Sequence, residues 1–398
     1  CGAMIKPNGY QAMITQHAWM FLSSYEKLRE KVLQKTIVNM AHLGPRAFDE
    51  IGGEVVQTTS FILFNGNIVD YEGTYCQLIE GKSENSKAKM FLSRNNCYIA
   101  KMKRFVKIPG TIIAYWLSNQ QLKILNNGFF LSSFGTARQG LGTSDNNRFL
   151  RFWSEVVFDN IGFSRTSCQY TFDKYVKWYP YIKGGSFKRW YPNKEYIVNY
   201  QNDGAEIKKT VMSKYPYLKS PEFVVKNTDT YFHEGITWSD VSTNLFSARY
   251  VSSGYIYADA GPMYFPNNQL WYFLGYMNSK VFQIFANLIC QGLHYSTGQI
   301  PKIPILKYNF ESTKTTNLVQ QNIEISQTDW DSFETSWDFQ THPLLAPSAL
   351  DMAGLITAKQ PTLAERYEQF KAICEDRFDI LQDNEEELNR IFIDIYGL

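Results

Sequence analysis

Cysteine is sparse in this chain. The six in 398 residues, Cys1, Cys76, Cys97, Cys168, Cys290 and Cys374, are scattered, and no CxxC pair exists. That spacing argues against a zinc site and predicts reduced thiols in a cytoplasmic protein. Histidine is rarer still. His17, His42, His233, His294 and His342 form neither HxxxH nor HExxH, so a metal centre finds no support. His17, at a strand-to-helix junction, reads as a structural or capping residue. No GxSxG offers a serine nucleophile. A Walker loop needs a lysine that "GTARQGLGTS" lacks, and no GxGxxG stands between a strand and a helix. No carboxylate–lysine cluster suggests a nuclease, and the adjacent Asp49 and Glu50 read as a solvated turn. No apolar run reaches the roughly 18 residues of a membrane span. The opening "CGAMIKPNGYQAMIT" lacks the basic-then-apolar order of a signal peptide and enters directly into strand text, as if a domain continued upstream.

What is present is a globular composition, 44% hydrophobic and 20% charged, with an aromatic content of 16%. The net charge of +2 hides an asymmetry: from Gln321 onward sixteen Asp/Glu face five Lys/Arg. Between Ser164 and Ser220, eleven Lys/Arg face four Asp/Glu and are interleaved with thirteen aromatics. Such a segment is the electrostatic footprint of a nucleic-acid binder, and equally the solvated face of a tyrosine-rich β domain.

Periodicity predicts an α+β architecture. "GYQAMIT", "TIVNMAHL" and "EVVQTTSFILFN" read as strands. "HAWMFLSSYEKLREKVLQK" reads as one helix, with Trp19, Leu22, Tyr25, Leu28 and Val32 at helical spacing. Trp19, Leu22 and Leu28 are expected to face the strands. One helix and three strands are too few for an α/β layer, so further elements are expected upstream. Tyr71 to Arg104 reads as a polar linker or small subdomain, and order restarts at "IPGTIIAYWLSNQQLKIL". Turn signals at "KGG", "YPNKEY" and "QNDGAE" then mark strand-and-turn text. "GITWSDVSTNLFSARYVSSGYIYADAGPMYF" reads as a meander, "QLWYFLGYMNSKVFQIFANLI" as one amphipathic helix, and "CQGLHYSTGQIPKIPIL" as a turn and a strand. The chain from Thr362 reads as an acidic helix.

The oddest stretch is "FGTARQGLGTSDNNRFLRFW", Phe134 to Trp153, where glycines, hydroxyls, amides and three arginines share one loop-like run. Its chemistry suits an anion. Without a Walker lysine, a DNA backbone fits better than a nucleotide pocket.

Longer phrases carry a resemblance. "NMAHLGPRAFDEIGGEVVQTTSFIL" and "PNGYQAMITQHAWMFLSSYEKLR" resemble the strands and helix that follow the catalytic motif in large bacterial adenine-specific DNA methyltransferases. The match is to those of the BREX phage-exclusion systems and their relatives among fused restriction–modification enzymes. "IPGTIIAYWLS", "GLGTSDNNRFLRFW", "YIVNYQNDGAEIK" and "GITWSDV…FSARY" are similar to the target-recognition region of that family. "LGYMNSKVFQIFANLICQGLHYSTGQIPKIPI" resembles the end of a recognition domain in type I specificity subunits, and "NEEELNRIFIDIYGL" is again a family phrase. The resemblance implies residues 1–100 as the rear of a Rossmann-like methyltransferase domain, 101–150 as a connector, 151–310 as a mixed, mostly antiparallel target-recognition domain and 311–398 as an acidic, mainly helical segment. It implies S-adenosylmethionine as cofactor of the parent enzyme. Neither the cofactor's glycine turn nor the Asn-Pro-Pro-Tyr/Phe motif occurs in these residues, so the fragment alone is expected to bind no cofactor and to be inactive. Its implied partners are double-stranded DNA, the missing N-terminal part of the methyltransferase and other defence-system proteins, with no membrane.

On this resemblance, Arg138, Thr143, Ser144, Asn146, Asn147 and Arg148 are candidate DNA contacts. The competing reading is a structural turn in which Asp145 and Asn146 cap a helix beginning at "NRFLRFWSEV". Arg165, Lys174, Lys177, Lys183, Lys188, Arg189 and Lys194 are candidates for phosphate or base-edge contact, with Arg189 beside Trp190 the first choice for base readout. Arg249 is either a DNA contact or a tie between strands. Tyr295, Ser296, Thr297 and Gln299 face the backbone or form a tight turn. A reading from another class makes the tyrosine-rich strands and acidic helix a protein-interaction module for other defence subunits or a phage inhibitor. The acidic tail is expected to contact a neighbouring basic surface or to hold two lobes apart.

Overall fold

A computed structural model describes residues 4–48, 56–242, 245–290, 294–306, 312–345 and 361–398. It divides into two compact units: residues 1–129 with 304–306 and Leu398, and residues 130–303 with 307–397. Asp49 and Glu50 lie outside the described residues.

The first unit is built on a five-stranded mixed sheet. β1 (Tyr10–Gln16), β2 (Thr36–Gly44) and β3 (Thr58–Phe64) fall where apolar and β-branched runs place them. β1 and β2 flank β3 antiparallel. The expected linker after Tyr71 is instead part of this sheet. β4 (Glu72–Gln77) runs parallel to β2, and β5 (Cys97–Lys101) pairs antiparallel with β4. Between them α2 (Glu84–Ser93) is capped by the Ser83 hydroxyl, which accepts from the Ser86 amide at 3.2 Å. Its polar text misled because Lys87 is buried, its ammonium donating to the carbonyls of Leu43 at 2.6 Å and Leu78 at 2.8 Å.

The expected long helix after β1 is broken. Single turns at His17–Met20 and Ser23–Tyr25 precede α1 (Glu26–Val32). The cause is Arg29, fully buried, whose guanidinium donates to the carbonyls of Trp19 at 2.9 Å, Leu22 at 2.7 Å and Gly110 at 2.7 and 2.9 Å. At the breaks, the guanidinium takes the Trp19 carbonyl and shares the Leu22 carbonyl with the Tyr25 amide. Trp19 is buried as expected, whereas Leu22 and Leu28 are 36% and 43% exposed. A one-turn α3 (Lys103–Val106) and α4 (Asn119–Asn127, with a Ser118–Gln121 capping box) complete this unit.

One further expectation changes here. Cys76 and Cys97 stand opposite each other in the β4–β5 register and are disulfide-bonded, so this pair is not reduced. A separation of 21 residues does not reveal that register. His17 takes the structural alternative and does not cap: its Nδ1 lies 2.7 Å from Nε2 of His42, whose Nδ1 lies 3.1 Å from the Tyr115 hydroxyl.

The second unit holds two four-stranded sheets. In one, β7 (Leu150–Phe152), β9 (Tyr196–Asn199) and β8 (Trp178–Ile182) pair antiparallel, and the short β12 (Ile256–Tyr257) adds parallel to β8. In the other, β6 (Gly135–Arg138), β13 (Met263–Pro266), β10 (Gly235–Thr237) and β11 (Arg249–Val251) pair antiparallel throughout. The expected meander is therefore divided between two sheets. A core of Leu141, Phe149, Tyr179, Tyr181, Val198, Tyr200, Ile207, Tyr231, Phe232 and Tyr257 fills the unit, which explains much of the tyrosine excess.

α5 (Asn146–Phe149) is a single turn, with Asp145 accepting from the Arg148 amide at 3.2 Å. The cap is as read, but the chain leaves at once into β7 rather than continuing as a helix. "QNDGAE" is a turn, with Asn202, Asp203 and Gly204 all left-handed, that opens α6 (Gln201–Lys214). The single helix expected after Gln269 is two, α7 (Leu270–Met277) and α8 (Lys280–Ile289). They part because the Asn278 amide both accepts from the Ala248 N–H at 2.9 Å and donates to its carbonyl at 3.0 Å, while Ser279 caps α8.

α9 (Thr313–Asp331) and the 34-residue α10 (Leu363–Tyr396) complete the unit. α10 starts at the Thr362–Glu365 capping box. Leu388, Phe392 and Tyr396 are buried, and the rings of Phe392 and Tyr396 meet Tyr272, Tyr276 and Phe285. No helix among the described residues is long and apolar enough to cross a membrane.

Candidate functional site

The main chain from Gln139 threads through the second unit, and its continuation from Gly142 to Asn146 lines a cleft. The Leu141 amide donates to the Tyr257 carbonyl at 2.8 Å, and the Gly142 amide to the Val224 carbonyl at 3.0 Å. A Cβ on Gly140 would sit 2.0 Å from the Tyr257 carbonyl oxygen, so only glycine lets the strands approach this closely. The cleft beyond has a volume of about 720 Å³. Gly142 to Asn146 line one side, Tyr181, Lys183 and Asp259 another, and Tyr215, Tyr217 and Phe223 a third.

Within the loop the Thr143 hydroxyl is buried and donates to the Asn146 side-chain oxygen at 2.5 Å. Ser144 takes a left-handed φ of 59°, and its carbonyl accepts from the Lys214 ammonium at 2.6 Å. Asn146, Asn147 and Arg148 are exposed. The Arg148 guanidinium donates to Glu206 at 2.6 and 3.2 Å, and the same carboxylate accepts from the Asn199 amide at 2.9 Å. These donors, the Arg148 bond first, hold the Glu206 carboxyl below its ordinary range. Arg138 ends β6 half-buried.

The basic, ring-rich segment divides by environment. Lys174 and Lys177 are exposed, their ammonium groups 4.9 and 5.9 Å from the Tyr175 and Trp178 ring centroids. Lys183 lies over Tyr196 at 4.8 Å. Arg165 pairs with Asp173 at 3.8 Å and lies over Tyr170. Lys188 sits over Trp330 at 4.4 Å, with burial the main cause of its lowered pKa. Lys194 is buried between Tyr191 and Tyr255, at 4.3 and 4.9 Å, and burial pulls its pKa down to about 8 against the attraction of Asp338 and Asp331.

Arg189, the first choice for base readout, is bonded to Glu385 of α10. Trp190 is buried and donates from its indole to the other oxygen of that carboxylate at 2.8 Å. Arg249 is buried, donates to the Ser239 hydroxyl at 3.0 Å and bridges to Trp190 through its backbone; burial lowers its pKa to about 10. That is the strand-tying alternative. Tyr295 is buried, its carbonyl accepting from the Trp238 indole at 2.6 Å. Ser296 donates to Gln299 at 2.9 Å within a tight turn that also holds the half-buried Thr297. The structure thus gathers Thr143, Ser144, Asn146 and Lys183 around one cleft. It sends Arg189, Trp190, Lys194, Arg249 and Tyr295 into packed interfaces. Sequence reading missed Tyr217, Phe223 and Asp259, whose only signal was an exposed ring or acid in turn text. No cluster of three or more His, Cys, Asp or Glu able to hold a metal occurs among the described residues.

Comparison with known proteins now bears on these residues. No protein-family profile matches the chain. Over 404 residues it is 40% identical to the adenine-specific methyltransferase PglX of Lacticaseibacillus casei (strain Zhang), covering 99% of this chain and 32% of that protein. Along its whole length, the chain resembles PglX. It is also 36% identical over 406 residues to the adenine-specific methyltransferase BrxX of Escherichia coli O9:H4 (strain HS), covering 99% of this chain and 30% of that protein. The chain therefore spans about a third of the length of PglX and BrxX. Among solved structures, the type IIL restriction–modification enzyme MmeI, determined in complex with DNA, matches with a TM-score of 0.53 at 11% identity. That match covers 98% of this chain and 47% of MmeI, and at that identity it is a likeness of fold.

Proposed function

We propose that the second unit recognises a specific sequence of double-stranded DNA within an adenine-N6 DNA methyltransferase of a phage-defence or restriction–modification system, the first unit being the rear of the methyltransferase domain. The observation that carries this reading is the cleft, where an amide- and hydroxyl-bearing loop meets Lys183 and exposed rings in a chain so similar to PglX and BrxX. Ser144, Asn146 and Lys183 in the cleft, with the exposed Asn147, Arg148, Lys174 and Lys177 of the same unit, supply phosphate and base-edge contacts. Thr143, Trp190, Lys194, Arg249 and Tyr295 serve as the frame that holds them. S-adenosylmethionine belongs to the longer protein in this proposal. β1 enters its helical turns through Gln16 and His17 rather than a glycine turn, so those residues do not fit that cofactor.

Fluorescence anisotropy with duplex DNA across a salt series tests the reading. Duplex binding should weaken steeply with salt, and a subset of sequences should bind tighter than random DNA. Absence of duplex binding at low salt overturns it.

A further inference from the structure

The cleft holds more than a backbone contact needs. Tyr217 and Phe223, which line it, are 78% and 60% exposed, and the Tyr217 ring meets Tyr215 edge-on, leaving ring surface open to the cleft. Asp259 uses one oxygen to accept from the Ala260 amide at 2.8 Å. Its other oxygen faces Gly142, 3.4 Å from where a Cβ there would sit, and remains an acceptor. Asn146 spends its oxygen on Thr143, which leaves its NH₂ as a donor. Lys183 contributes a cation that lies over the face of Tyr196. An acceptor, a donor, a cation and two uncovered rings thus share one cavity.

We infer that this cleft is a binding site for a single nucleotide, its base lying against Tyr217 and Phe223, its edge read by Asp259 and Asn146, and its phosphate drawn to Lys183. A purely apolar ligand would leave Lys183 and Asp259 unpaired. An acidic peptide would meet Asp145 and Asp259. A planar heteroaromatic group carrying a phosphate satisfies every group present. Two sources offer that chemistry: a nucleotide displaced from the stack of bound DNA, which rests on the DNA-recognition reading above, or a free nucleotide.

The test uses the 398-residue chain and four ligands: a matched duplex, the same duplex with one unpaired nucleotide, adenosine monophosphate and cytidine monophosphate. If DNA is the source, the unpaired nucleotide should raise affinity by about tenfold or more, because unstacking is already done. Tyr217→Ala combined with Phe223→Ala should bring the ratio near one while thermal melting shows the fold retained. Asp259→Asn, which keeps the shape, should change the ratio with base identity. If the source is a free nucleotide, a monophosphate should bind the wild-type chain and not the double variant. Equal binding of the two duplexes together with no monophosphate binding overturns the inference, as does a preference that survives the double variant. Loss of all duplex binding with monophosphate binding retained overturns the DNA reading alone.

Discussion

Arg189 and Glu385 form an ion pair across 196 residues of sequence, and the Trp190 indole donates to the same carboxylate at 2.8 Å. The acidic helix α10 is therefore a ligand for the basic segment of its own unit. Glu385→Ala should leave two partly buried donors unpaired and cost about 1–3 kcal/mol in denaturant unfolding. Glu385→Gln, which keeps an acceptor, should cost less. An unchanged midpoint in Glu385→Ala would show that the pair contributes nothing to the fold.

Arg148 occupies the opposite situation, on the surface. Its pair with Glu206 joins side chains 52% and 44% exposed, so Arg148→Ala should change stability by under about 1 kcal/mol. If Arg148 meets phosphate, the variant should bind all duplexes more weakly to a similar degree, and the salt slope should fall by roughly one unit. A stability loss with the slope intact would assign the residue to the frame.

Gly140→Ala is a test of the threaded main chain. The added methyl has no room beside the Tyr257 carbonyl, and the strands must part to admit it. A loss of about 3 kcal/mol or more is expected, read as a lower melting temperature. Gly185→Ala is the control, its nearest atom being the Asn193 side-chain nitrogen at 3.6 Å.

The His17–His42 contact predicts acid sensitivity. Burial, followed by the nearby His17 and Lys87, lowers the pKa of His42 to about 3. The unfolded chain, with a histidine near 6.5, binds the proton more readily than the fold does. The contribution of His42 is therefore intact above pH 6.5 and is lost as pH falls toward 3, at up to about 1.4 kcal/mol per pH unit. His42→Gln should flatten that dependence in urea unfolding measured from pH 7 to pH 4.

Lys194 behaves in the same sense at higher pH. Its folded pKa of about 8 lies below the usual lysine value of 10.5, so the unfolded state binds more protons between the two. Stability due to this residue should rise as pH increases from 8 toward 10.5. Lys194→Met keeps a long chain between Tyr191 and Tyr255 without the buried charge. It should be more stable than wild type at pH 7, and that advantage should shrink by pH 9.5.

Local pattern made part of this legible. The strands β1 to β3, the Asp145 cap and the acidic helix after Thr362 all follow from periodicity and capping chemistry, which act within a few residues. What stayed hidden depends on partners far along the chain. Arg29 breaks a well-patterned helix by binding carbonyls that include that of Gly110. Lys87 makes a polar stretch part of the sheet unit, and Asn278 splits a helix by pairing with Ala248. At the candidate site, residue type drew attention to the glycine- and amide-rich loop, whereas burial, which sequence does not show, decided which cations remain exposed. Arg189 and Lys183 both lie in the basic, ring-rich segment, and sequence favoured Arg189; only the fold places it against Glu385 and Lys183 beside a cleft.

The threading of Gln139 to Gly142 has a consequence for how the protein can change. Leu141 is fully buried, bridges to both Val225 and Ala258 through its backbone, and accepts from the buried Tyr181 hydroxyl at 2.8 Å. The shape of that wall is thus set by backbone bonds and the buried Tyr181, not by the exposed side chains it displays. Asn147, Lys183, Tyr217 and Phe223 behave like interchangeable type set in a locked frame. Single substitutions at these positions can change the chemistry the cleft displays, with the scaffold beneath them left undisturbed.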